Sequence, residues 1–228
     1  MEHVFQLENV SKVFGEGAVQ VKALNSINLE FHRGEFSALI GPSGSGKSTL
    51  LNIMSGLDTP TTGDVFLDGI NISEMSGNKL CDFRRDHIGF IFQSFNLIPV
   101  LTVKENIEYI MLLQGVAEEK RLQRVEEILE RIGLKGFNNR YPNQLSGGQQ
   151  QRVAIARAIA SQPSIILADE PTANLDSKTG TELIDLMAQL NADYGTTFIF
   201  STHDQKIMDR ARRLVTLEDG KIVSDKLS

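Results

Sequence analysis

The sequence predicts an α/β fold: a mainly parallel sheet covered on both faces by helices, with a small antiparallel β unit ahead of it and a helical insertion within it. Three observations lead there. The short apolar runs 36–40, 164–168 and 196–201 each stand before a helical segment, which is the pattern of buried parallel strands in an α/β sheet. Two β-rich runs, 4–14 and 19–31, come first and alternate imperfectly, as half-buried antiparallel strands do. Between residues 94 and 162 the strand pattern lapses, and 103–114 and 118–132 carry apolar residues at helical spacing, for instance Leu122, Val125, Ile128, Leu129 and Ile132.

In chain order, Gly15-Glu16-Gly17 reads as the tip of a hairpin joining the first two strands. The strand 36–40 runs into a Gly-rich turn and a helix expected over 49–55, and the ends of such strands are where an α/β sheet holds its ligand. Gly133 follows the second insertion helix as a C-cap. A helix is expected over 150–160, then strands 164–168 and 196–201, and finally the strands 214–217 and 221–224. The whole chain, 1–228, is expected to be one domain, with the core and β unit at about 1–93 and 163–228 and the helical subdomain at about 94–162.

With 228 residues, 41% of them hydrophobic, the chain can build one large core. Its net charge of −6 withholds the bulk electrostatic attraction that drives non-specific nucleic-acid binding. Beyond short runs such as Arg84-Arg85 and 210–213 there is no local basic patch, so no nucleic-acid partner is expected. A single cysteine, Cys81, can form neither an internal disulfide nor a multi-thiolate metal site. The first residues lack the basic and apolar regions of a secretory signal, and no run approaches the ~18 apolar residues of a membrane span. A membrane role is therefore expected to run through another chain.

Gly41-Pro42-Ser43-Gly44-Ser45-Gly46-Lys47-Ser48-Thr49 fits G-x-x-x-x-G-K-[ST] between a strand and a helix. Backbone N–H groups of such a loop converge on phosphate oxygens, and the helix N-terminus adds partial positive charge. Lys47 would reach the β and γ phosphates, Ser48 would offer its hydroxyl to Mg²⁺, and Thr49 would sit close to the α phosphate. At the end of the strand 164–168, Asp169 is placed to hold the metal and Glu170 to polarise an attacking water. Leu145-Ser146-Gly147-Gly148-Gln149 is a second phosphate-binding device at a helix start, with Ser146 as N-cap. If the helical insertion carries it away from the first loop, two molecules paired head to tail would let each close on the other's γ phosphate.

On these residues the chain resembles the ATP-binding subunits of ABC transporters along essentially its whole length. Leu145-Ser146-Gly147-Gly148-Gln149 is similar to that family's signature motif, and residues 41–49 and 165–170 to its Walker A and Walker B motifs. The resemblance implies a P-loop ATPase that binds ATP and Mg²⁺ and hydrolyses ATP. It implies Gln93 as the Q-loop glutamine, touching Mg²⁺ and water, and Asp176 as a D-loop residue communicating across the dimer. His203 would be the switch histidine contacting the γ phosphate. Phe14 stands where the family commonly has a tyrosine stacked on adenine, and Val21 would pack beside the base. The implied partners are a second copy of the chain and an integral membrane permease, with the subunit peripheral on the cytoplasmic face of the inner membrane. Residues 94–101, apolar for a loop, would line a groove for a permease helix or pack the helical subdomain. Within the family the likeness is to the lipoprotein-release and macrolide-export group (LolD and MacB types). A cell-division ATPase that regulates a permease-like partner, and a soluble ABC ATPase, are the alternatives the residues leave open.

Overall fold

β1 (His3–Phe14) and β2 (Val21–His32) pair antiparallel from His3 opposite His32 to Phe14 opposite Val21. The computed structural model describes residues 3–15 and 20–227, so the hairpin tip expected at 15–17 lies outside the described residues from Glu16 onward. β3 (Phe36–Ile40) leads into α1 (Lys47–Met54). Next come β4 (Thr62–Leu67) and β5 (Ile70–Asn71), which join the hairpin in a sheet of order β2-β1-β4-β5. That sheet is twice the size the two β-rich runs predict.

α2 (Gly77–His87) and β6 (Ile88–Ile91) precede α3 (Val103–Leu113), α4 (Glu118–Arg131) and α5 (Gly147–Ala160). β7 (Ile165–Asp169), α6 (Ser177–Tyr194), β8 (Thr197–Ser201), α7 (Gln205–Met208), β9 (Arg213–Glu218) and β10 (Lys221–Leu227) complete the chain. The second sheet has the order β10-β9-β3-β8-β7-β6, with β10 the one antiparallel strand.

Period-two alternation divides the core strands between two clusters. Leu39, Ile165, Leu167, Ile199 and Val215 pack with α1 and the antiparallel sheet. Ala38, Ile166, Ala168, Phe198 and Phe200 pack instead with α3, α4, α5 and α6. Burial on both faces explains why β7 and β8 read as continuous apolar runs. α1 starts at Lys47 and α5 at Gly147, each ahead of the sequence expectation. In α5 the reason is a reciprocal cap: Ser146 Oγ accepts from the Gln149 N–H, and Gln149 Oε1 accepts from the Ser146 N–H at 3.0 Å. Two otherwise unpaired helix-end donors are satisfied, which extends the helix through both glycines.

Three arginines of the basic runs are ion-paired. Arg85 is paired with Asp82 and Asp86, Arg210 with Asp185, and Arg213 with Glu35 and Asp225. Among the described residues, no helix is long and apolar enough to cross a membrane.

Candidate functional site

Gly41 leaves β3 with φ +147°, and a Cβ there would fall 2.0 Å from the Leu217 carbonyl oxygen. Gly46 caps α1 in the left-handed region, where a Cβ would stand 2.6 Å from the Ala23 oxygen. Only glycine permits both the backbone turn and the approach. Lys47 is buried under the loop, its Nζ donating to the carbonyls of Gly41 at 2.7 Å and Pro42 at 3.0 Å. Its ammonium is thereby held inside the curve formed by residues 41–46.

Parallel register brings the chemistry of three strands to one level: Ser201 lies beside Leu39 of β3 and Asp169 of β7. Ser48 Oγ donates to Asp169 Oδ1 at 3.3 Å. A hydroxyl and a carboxylate oxygen at this spacing are hard donors of the type Mg²⁺ selects. Glu170 has φ +46°, uncommon for a residue with a side chain, and its N–H donates to the Ser201 oxygen at 2.8 Å. The turn aims its carboxylate at His203, whose Nδ1 lies 2.7 Å from Oε1, while Thr202 Oγ1 donates to Oε2 at 3.4 Å.

Lys47, Ser48, Glu170 and His203 share a cleft of about 860 Å³ lined by residues 41–49 with Val21, Gln93, Glu170 and His203, and Asp169 stands behind this lining, joined to it through Ser48. Gly41, Ser43, Gly44, Ser45, Gly46, Lys47, Ser48 and Thr49 all belong to its wall. The volume lies in the range of sites that hold nucleotide-sized ligands. Phe14 is half exposed and outside that lining, with Lys12 Nζ 5.0 Å from its ring centroid. It stands opposite Val21, the last β1–β2 pair at the connected end of the hairpin.

Ser146, Gly147, Gly148, Gln149 and Asp176 are absent from this cleft. They form a separate corner of their own. Asp176 caps α6, accepting the Thr179 hydroxyl at 2.6 Å and the N–H groups of Lys178 and Thr179. The Thr179 hydroxyl, then its N–H, hold the Asp176 carboxyl below the usual aspartate value. Gly148 packs against Thr179, and Gly147 faces Leu175 and Phe95.

Residues 94–101 have side chains in two places. Asn96 and Ile98 line an apolar groove of about 520 Å³ between α2, β6 and α3, whereas Leu97 packs on the core of the helical region. Three side chains that sequence reading passes over support this region. Gln151 donates to the carbonyls of Phe92 and Pro171, Asn174 donates to that of Gln93, and Arg157 donates to those of Phe95 and Asn96. Burial pushes the Arg157 guanidinium below its ordinary value.

A glycine loop between strand and helix, a buried lysine inside it and oxygen donors on the next strands define a P-loop nucleotide-binding protein. Residues 24–173 match the family model described as ABC transporter. An uncharacterized ABC transporter ATP-binding protein of Methanocaldococcus jannaschii is 49% identical over 220 residues, 96% of this chain and 98% of that one. The macrolide export ATP-binding/permease protein MacB of Hyphomonas neptunium is 43% identical over 97% of this chain, which covers 34% of it. The solved dimeric post-hydrolysis state of the ATP-binding cassette MJ0796, bound to ADP and Pi, superposes with a TM-score of 0.89 at 45% identity, covering 98% of both chains. The chain belongs to the ABC transporter family, as one of its ATP-binding and ATP-hydrolysing cassettes.

Proposed function

We propose that this chain is the ATPase subunit of a complex in which ATP joins two copies head to tail, and the joined pair drives a separate membrane permease for lipoprotein release or export of hydrophobic compounds. The observation that carries the reading is the separation of two phosphate-binding devices. Residues 41–49 line the cleft, and the Ser146 helix end does not. A single nucleotide meets both only if the second device comes from another molecule. The solved relative is itself a dimer.

In this reading the backbone N–H groups of residues 43–46 and the Lys47 ammonium hold the phosphate chain, with Thr49 near its α end. Ser48 and Asp169 would hold Mg²⁺, with Gln93 beside it, and the ion would supply positive charge against that developing on the phosphates. Glu170 polarises the attacking water, and His203 orients Glu170 while facing the γ phosphate. Phe14 and Val21 cover the base; phenylalanine keeps the stacking face without the hydroxyl. Ser146, Gly147, Gly148 and Gln149 contact the γ phosphate of the other copy, and Asp176 lies at the same junction.

The apolar groove lined by Phe90, Phe92, Ile98, Tyr109 and Leu113 is the surface offered to a permease helix. The relative that unites ATP-binding and permease parts in one protein supports such a partner. The subunit would then sit on the cytoplasmic face of the inner membrane. The test is recovery of tagged Glu170→Gln protein with ATP from detergent-solubilised membranes, with bound proteins identified by mass spectrometry. A permease with few spans and a large extracytoplasmic domain is expected. Recovery of only ribosomal, DNA-associated or other soluble partners contradicts the reading.

A further inference from the structure

Gln151 is fully buried in the second turn of α5, a position where a leucine would ordinarily pack better. Its Nε2 donates to the Pro171 oxygen at 2.7 Å and to the Phe92 oxygen at 3.4 Å. Both partners are carbonyls, which only accept, so the amide nitrogen must face them and the amide cannot be flipped. Each carbonyl stands next to a cleft residue in sequence: Phe92 precedes Gln93, and Pro171 follows Glu170. Pro171 carries no N–H, and Glu170 is held in a left-handed conformation, so this turn draws support from a side chain. The orientation also has a cost, because Gln151 Oε1 is buried with no hydrogen-bond partner among the described residues.

We infer that Gln151 is a positioning residue for hydrolysis: one side-chain amide ties the helix that begins at Ser146 to the backbone beside Gln93 and beside Glu170. The two N–H groups of a primary amide match two carbonyls from two segments, which neither an apolar side chain nor a hydroxyl can do. Through this bridge the helix carrying the second phosphate-binding device sets where both cleft side chains stand. The inference rests on the proposed roles of Glu170 and Gln93.

The test compares wild type, Gln151→Met, Gln151→Glu and Glu170→Gln for steady-state ATP turnover, affinity for a fluorescent ATP analogue, and melting temperature. Gln151→Met is expected to lower kcat about tenfold, with KM and analogue affinity within twofold of wild type. Gln151→Glu is expected to lose less activity at acidic pH, where a protonated carboxyl can donate one of the two hydrogen bonds, so its ratio to wild type rises as pH falls. An unchanged kcat in Gln151→Met, or a loss of turnover only in parallel with lost analogue affinity, overturns the inference. If the Met variant does not fold, a Glu-to-wild-type ratio that is flat with pH does the same. Normal turnover in Glu170→Gln would instead overturn the underlying assignment, whatever the Gln151 variants show.

Discussion

His203 Nδ1 lies 2.7 Å from Glu170 Oε1, so an exposed histidine of the cleft holds the carboxylate of a residue strained into the left-handed region. The Glu170 backbone is fixed by its bond to Ser201, but its side chain takes direction from His203 and Thr202. His203→Ala should therefore leave nucleotide affinity within about threefold of wild type while reducing kcat by roughly a hundredfold or more, the scale of a lost general-base alignment. Equilibrium binding and steady-state turnover on the same preparation separate the two quantities.

The two glycines that follow Ser146 should respond differently to alanine. At Gly148 a Cβ would fall 2.4 Å from Thr179 Cγ2, and Thr179 is tied to Asp176. Gly148→Ala is expected to destabilise the fold by about 1–3 kcal/mol through overpacking. At Gly147 the nearest atoms, on Leu175 and Phe95, are 3.7 Å away. If this helix end meets the nucleotide of a second copy, as proposed, Gly147→Ala should melt within a few degrees of wild type yet lose ATP turnover. Thermal unfolding and ATPase assays distinguish these outcomes.

Acid should loosen the starts of α3 and α6. Hydrogen bonds from Thr179 lower the Asp176 carboxyl, and those from Thr102 lower Glu105. A carboxyl depressed on folding stabilises fully above its unfolded value and ceases to do so as pH falls through its folded value. The stabilisation is thus complete at neutral pH and is lost below about pH 4. Asp176→Asn keeps a competent cap without the charge. The stability difference between wild type and Asp176→Asn, followed by urea unfolding from pH 7 downward, should shrink as the medium becomes acidic.

Arg157 spans the apolar groove and the turn after Gln93. Its guanidinium donates to the carbonyls of Phe95 and Asn96, both left-handed residues. Arg157→Met should cost about 2 kcal/mol in urea unfolding, since it strands two carbonyls that a charged donor now satisfies. Arg157→Lys should recover little of this, because a single ammonium cannot reproduce the planar fork.

The parallel core was legible because β3, β7 and β8 are buried on both faces and so read as unbroken apolar runs. β4, β5 and α2 were not. β4 buries two side chains and α2 only Leu80, which leaves little periodicity to see. The loop 41–49 was legible because its glycines answer to backbone geometry that no other residue supplies. The start of α5 was misplaced because two glycines argue against helix, although the Ser146–Gln149 spacing carries the cap. Gln151 and Arg157 look like surface positions by composition. Their burial depends on which backbone carbonyls the folded chain leaves unpaired, and a single sequence does not contain that.

The central claim is that the site is completed by a second copy, and the most direct measurement is the solution mass of Glu170→Gln by light scattering, with ATP and Mg²⁺ and with ADP and Mg²⁺. The account predicts a doubled mass with ATP, the monomer mass with ADP, and no doubling with ATP once Ser146→Arg is added. A monomer under every condition, or a dimer indifferent to nucleotide and to Ser146→Arg, would contradict it.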